Sequence, residues 1–230
     1  MNAKMVDKIS NARKKELEQP DPFLETLQGW VNTVIRYKKQ VAMVLGAIVA
    51  VVAVFSATLY SIGRSEDKAS EFLARVLSNY NDTDPVKGYE TVKDDVAEFI
   101  SSYPNTAASA QARVRFAKIA FDAGKLEEAH GMYLGALDKF KGDKAMENLL
   151  FSSLGRTTLA LGKMDEAETW FRKIVTAKGS MLKGEALFNL GLILADRGDS
   201  EQSQQLLQEV VRDHGDSIYA PMAEARIQRL

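Results

Sequence analysis

Cysteine is missing from this chain of 230 residues. That excludes a disulfide framework, a thiol nucleophile and a thiolate metal site. Histidine is almost missing: only His130 and His214 occur, with no further His or Cys at ligand spacing. His130 reads as a surface or half-buried helix residue, and His214, in RDHGD, as a partner for carbonyls at a helix end. Proline is scarce, at five residues, which leaves room for long helices. Neither charge is in excess, with 30 basic and 31 acidic side chains. A generic nucleic-acid binder, which needs a basic surface to displace counterions, is therefore not expected. Hydrophobic residues make up 46% of the chain, too many for a disordered protein. No P-loop, G-x-S-x-G, H-E-x-x-H or paired catalytic carboxylates can be found. The acidic clusters Asp94–Asp95 and Glu127–Glu128 read as solvated helix faces. The expectation is a chain that is not an enzyme, with no cofactor, no metal and no small-molecule substrate.

What is present is uneven. Residues 41–62 read VAMVLGAIVAVVAVFSATLYSI, without a formal charge. As a helix they span roughly 33 Å, enough for a hydrocarbon core of about 30 Å. Eleven of them are Val, Leu, Ile or Phe, which together favour insertion by on the order of 5 kcal/mol. The segment reads as an uncleaved transmembrane signal anchor, since it starts late and exceeds the apolar core of a cleaved leader. Residues 1–40 hold eight Lys or Arg against five acids, whereas residues 63–230 hold 22 against 26. With Arg36, Lys38 and Lys39 crowding one end of the span, the positive-inside rule puts the N-terminus in the cytoplasm and the C-terminal domain outside it. Ala42, Gly46 and Ala50 recur every four residues, as on a transmembrane packing face where helices approach closely.

Ahead of the span, Asp21 can cap a helix whose first position is Pro22. Phe23, Leu27, Trp30 and Val34 recur at helical spacing, and Leu24, Val31 and Ile35 widen the stripe. The spacing predicts an amphipathic helix on the inner leaflet. Whether it steadies the anchor or docks a partner stays open at this level.

Beyond the span the chain repeats itself. A small residue (Ala117, Gly155, Gly191) is followed after seven positions by Gly124, Gly162 and Gly198, then after five by Ala129, Ala167 and Ser203, then after four by Tyr133, Phe171 and Leu207. The units are 38 and 36 residues apart, yet the two small residues are always 12 apart. Constant spacing inside a unit and variable spacing between units is the mark of a rigid two-helix hairpin. Small residues let the helices cross closely, the middle glycine ends the first helix in a left-handed conformation, and the bulky residue fills the space between hairpins. Such hairpins bury their apolar faces against neighbours and so come in arrays.

This order of small, Gly, small and aromatic residues resembles the tetratricopeptide repeat, over about 110–143, 148–181 and 184–217. Residues 64–103 read as a divergent first hairpin, with Phe72, Val76 and Leu77 on one helix and Val92, Val96, Phe99 and Ile100 on the next. Asn81, Asp82, Asp84, Pro85 and Gly88 read as the loop between them. SSYPNTAASAQARV resembles the junctions of envelope tetratricopeptide proteins, with Asn105 or Thr106 as the cap, and 218–230 reads as a closing helix. The fold class expected is all-α, a single transmembrane helix followed by a short α-solenoid.

The layout of a cytoplasmic tail (1–40), one signal anchor (41–62) and a repeat domain (63–230) resembles the YfgM-type ancillary subunit of the Sec translocon. The resemblance implies a bacterial inner-membrane protein with a periplasmic repeat domain, whose partners are the Sec translocon, periplasmic chaperones or exported chains. The alternative is an adaptor for another envelope machine, such as outer-membrane assembly, pilus biogenesis or division. The first helix of each tetratricopeptide pair lines the concave surface, which implies a partner-binding groove of Val114, Lys118 and Phe121, then Leu149, Ser152, Arg156 and Leu159, then Glu185, Phe188 and Leu192. For its apolar members two readings stand, groove lining and burial between hairpins. The family's carboxylate clamp does not match, because Val114 and Lys118 replace its pattern. The groove should take a segment with apolar residues and an acidic one.

Overall fold

The computed structural model describes residues 22–80 and 83–230, and every regular element among them is an α-helix. The chain divides after Ser61 into two units.

In the first unit, α1 (Pro22–Arg36) begins on Pro22, where the missing N–H has no helical partner to lose. The cap expected at Asp21 lies outside the described residues. Tyr37 is a turn, after which α2 runs over Lys38–Ser78. Among the described residues α2 is the one helix long and apolar enough to cross a membrane. Its most apolar stretch has a mean hydropathy of 2.5 and none of it is buried. Ala42, Gly46 and Ala50 are exposed, and no atom approaches within 4 Å of where a Cβ on Gly46 would lie.

In the second unit the last part of α2 pairs with α3 (Pro85–Ser102), which Asp84 caps by accepting from the Lys87 N–H at 3.1 Å. Pro85 and Gly88, expected in the loop, belong to this helix. Proline suits the first turn, where its ring pre-sets the helical φ, and Gly88 is buried. The pair is held by rings: Phe72 stacks on Phe99 at 5.6 Å, and Tyr103 closes over both.

Three closely packed hairpins follow: α4 (Ala107–Asp122) with α5 (Leu126–Leu137), α6 (Lys144–Ala160) with α7 (Met164–Thr176), and α8 (Lys183–Asp196) with α9 (Ser200–Asp213). Thr106 caps α4 by accepting from Ser109 N–H. The three turns are copies of one another. Gly124, Gly162 and Gly198 have φ of 76°, 74° and 85°. The next N–H returns to the helix carbonyl five residues back (Lys125 to Ala120, Lys163 to Thr158, Asp199 to Leu194) at 2.8–2.9 Å. This is a Schellman ending, and only glycine adopts its left-handed residue without steric cost.

The paired small residues lie where the helices cross. Ala117, Ala129 and Ala167 are fully buried. A Cβ on Gly155 would stand 2.7 Å from the Phe171 ring, and one on Gly191 2.9 Å from Leu207. Ser203 fits the same position because its hydroxyl donates to the Gly191 carbonyl at 2.7 Å, so no buried polar group is left unpaired. Short α10 (Tyr219–Ile227) covers the last hairpin with Ala220 and Ala223 buried.

Candidate partner-binding cleft

The helices α4 and α6 open successive hairpins, and residues one helical turn apart on α4 can line one cleft with residues of α6. Val114, Lys118 and Leu149, expected in a groove, do come together, in a cleft of about 450 Å³. Arg115, Ile119 and Asp122 of α4, Leu77 and Tyr80 of the preceding segment, Tyr133 of α5 and Ser153 of α6 complete it. Its floor is apolar. Tyr133 forms part of that floor, and burial pushes its phenol above the ordinary value against the hydrogen bond it shares with Ser153. Its rim carries the cations Arg115 and Lys118 and the carboxylate of Asp122. Lys118 donates to Asp122 Oδ1 at 2.7 Å. Arg115 is exposed and makes no ion pair among the described residues. Arg156 lies 5.6 Å above the Phe121 ring, close enough to Tyr133 to act on its charge.

The other expected groove residues are placed differently. Ser152 is buried and donates to Glu185 Oε1 at 2.8 Å, with Glu185 itself only 8% exposed. The pair joins α6 to α8. Phe188 is 7% exposed and packs against Tyr219 of α10 at 5.5 Å. Phe121, Leu159 and Leu192 are half-buried against the cores. Of the two readings left open for the apolar members, burial describes Phe188. The carried-over repeat positions do not mark Arg115, Asp122, Tyr133 or Ser153 as groove residues. Arg115 and Asp122 were within reach, since they stand three before and four after Lys118, on the same helix face. Leu77 and Tyr80 were not, because their contribution depends on how the first hairpin packs.

His130 is half-buried, with Nε2 3.0 Å from Glu166 Oε1, and ties α5 to α7. His214 is the residue after α9, and its backbone N–H bonds to the Val210 carbonyl. No group of three or more His, Asp or Glu able to hold a metal occurs among the described residues.

These features have counterparts in known proteins. A sequence model of the tetratricopeptide repeat-like domain matches residues 36–191, and a tetratricopeptide repeat model matches residues 185–217. No curated protein matches the sequence. A solved structure, a tetratricopeptide repeat protein from Parabacteroides merdae, superposes with a TM-score of 0.56 at 15% identity, over 72% of this chain and 59% of that one. This chain thus spans about three-fifths of the length of that protein, and at this identity the likeness is one of fold. Tetratricopeptide arrays are typically non-enzymatic protein-interaction scaffolds. With its family matched across more than half its length, the chain belongs to the tetratricopeptide repeat-like domain family.

Proposed function

We propose that this protein is a bacterial inner-membrane scaffold that holds exported chains or periplasmic chaperones beside the Sec translocon. Residues 41–62 anchor it, the N-terminus lies in the cytoplasm, and the repeat domain faces the periplasm. The supporting observation is the cleft between α4 and α6. It combines an apolar floor with Arg115, which has no ion pair among the described residues, beside a Lys118 that is paired with Asp122, and so suits a segment carrying an apolar side chain next to a carboxylate. The basic flank of the span supports the orientation, and the order of tail, anchor and repeats supports the translocon as neighbour.

Photocrosslinkers at Val114 and Leu149 in cells test the cleft. Adducts should form with exported chains or chaperones, and Arg115→Glu with Lys118→Glu should reduce them at least about tenfold, because like charges across an interface are strongly unfavourable. Unchanged adducts would overturn the cleft assignment. Crosslinkers within 41–62 test the neighbour: adducts to channel helices support the translocon reading, and adducts only to other envelope proteins overturn it.

A further inference from the structure

The apolar and polar residues of α1 are completely segregated. At 100° per residue, Leu24, Leu27, Trp30, Val31, Val34 and Ile35 fall within an arc of roughly 140°. Thr26, Gln28, Asn32, Thr33 and Arg36 take the rest. The six apolar side chains are 48–72% exposed. An apolar face of this length is not left to water in a stable protein. Two further features indicate what covers it. The face ends one turn residue, Tyr37, before the helix whose apolar run can cross a membrane. At that junction Arg36, Lys38 and Lys39 form a basic collar, complementary to anionic headgroups, while the rest of the polar face is almost uncharged.

We propose that α1 lies in the bilayer interface, its apolar face seated at the boundary of headgroups and acyl chains and its ligand phospholipid. Insertion of apolar side chains supplies the attachment, and the basic collar fixes the end nearest the span. Tyr37 is then the point at which the chain turns from the membrane plane into the membrane. This inference rests on α2 crossing the membrane.

The lack of cysteine makes the test direct. Val31→Cys on the apolar face and Asn32→Cys on the polar face, each in the full chain, are labelled with an environment-sensitive fluorophore. The protein is then reconstituted in vesicles of phosphatidylcholine and phosphatidylglycerol. The label at 31 should be quenched by a nitroxide placed high on the lipid acyl chain at least about twofold more than the label at 32, since interfacial helices bury their apolar face about 5–10 Å deep. Aqueous iodide should show the reverse order. Equal quenching at both positions, or a label at 31 shielded from lipid and iodide alike as under a protein partner, overturns the proposal. Resistance of the reconstituted protein to alkaline extraction reads the span separately. Retention without lipid quenching at 31 sinks the interfacial helix alone, and loss on extraction sinks the membrane reading on which it rests.

Discussion

In the first hairpin two rings stack face to face between the helices, whereas in the second and third repeat hairpins a glycine lets a single bulky side chain lie against the backbone. Phe72 and Phe99 stack between α2 and α3, and these helices approach each other less closely than the later pairs do. In α6–α7 and α8–α9, Gly155 and Gly191 receive Phe171 and Leu207 directly against the backbone. Both solutions bury comparable apolar groups, with Phe99 and Phe171 each fully covered. They differ in tolerance. A gap filled by two side chains can adjust when either rotates, whereas a ring against a backbone has one partner that cannot move. The cleft lies where the widely spaced hairpin meets the first repeat.

The comparison breaks most visibly at the rings. Phe171→Ala should cost about 3–5 kcal/mol, the usual loss for a buried ring, measured by urea denaturation of the full chain in detergent. Gly155→Ala should cost about 1–3 kcal/mol, because the new methyl meets a fully buried ring with no space to retreat. Adding Phe171→Leu should recover part of that loss, so the double variant should be more stable than the sum of the two singles. A strictly additive result would show that the close crossing does not set the hairpin geometry. Gly131→Ala supplies the contrast: its position in α5 is exposed with nothing within 4 Å of a new Cβ, so the same substitution should stabilise by about 0.5–1 kcal/mol.

The turns sharpen the same point at smaller scale. Gly162→Ala meets no neighbour but must hold φ near 74°, and should cost about 1 kcal/mol. Gly155 and Gly162 are therefore required for different reasons, one for space and one for backbone conformation. A Gly162→Asn variant, which tolerates the left-handed region better than alanine, should regain part of the loss at 162. At 155 it should be worse than alanine.

Most of the repeat architecture was legible in sequence because its physics is local. The small, Gly, small and bulky positions mark a crossing, a Schellman turn and a filled gap within some sixteen residues, and 117–133, 155–171 and 191–207 realise them in turn. Ser203, which departs from the pattern by one hydroxyl, keeps its place through a local bond to Gly191. The first hairpin is less legible at its turn, since Pro85 and Gly88 signal a loop by composition but sit in α3. What escaped was long-range. Glu66 of α2 accepts from the first N–H groups of α4, at Ala107 and Ala108, from 41 and 42 positions away. Ser152 and Glu185 each have a polar side chain suited to a groove, yet meet each other across two hairpins. Phe188 is covered by Tyr219, and although 218–230 reads as a closing helix, no spacing rule pairs these two rings.

The last difference between the regions is how each is tied to its neighbour. The first hairpin docks on the first repeat through Tyr89, which stacks on Phe116 at 5.7 Å and donates its hydroxyl to Glu128. Burial, together with that hydrogen bond and the nearby charges of Glu128, Glu90 and Asp94, raises the phenol from 10.0 to about 12. The neutral phenol is therefore favoured in the folded state. Its contribution is complete below the unfolded value near 10, and it is lost as pH rises towards about 12, because there the unfolded chain releases a proton that the folded one retains. Backbone amide exchange followed through this range should show α3 loosening before α7, whose buried residues Ala167, Phe171 and Ile174 do not titrate. Tyr89→Phe keeps the stacking on Phe116 and removes the proton, so it should abolish the alkaline loosening of α3 while leaving exchange at neutral pH within a fewfold of the parent. If α3 loosened equally with Phe at 89, the weakness of the first junction would lie in its wide helix spacing and not in the titrating hydroxyl.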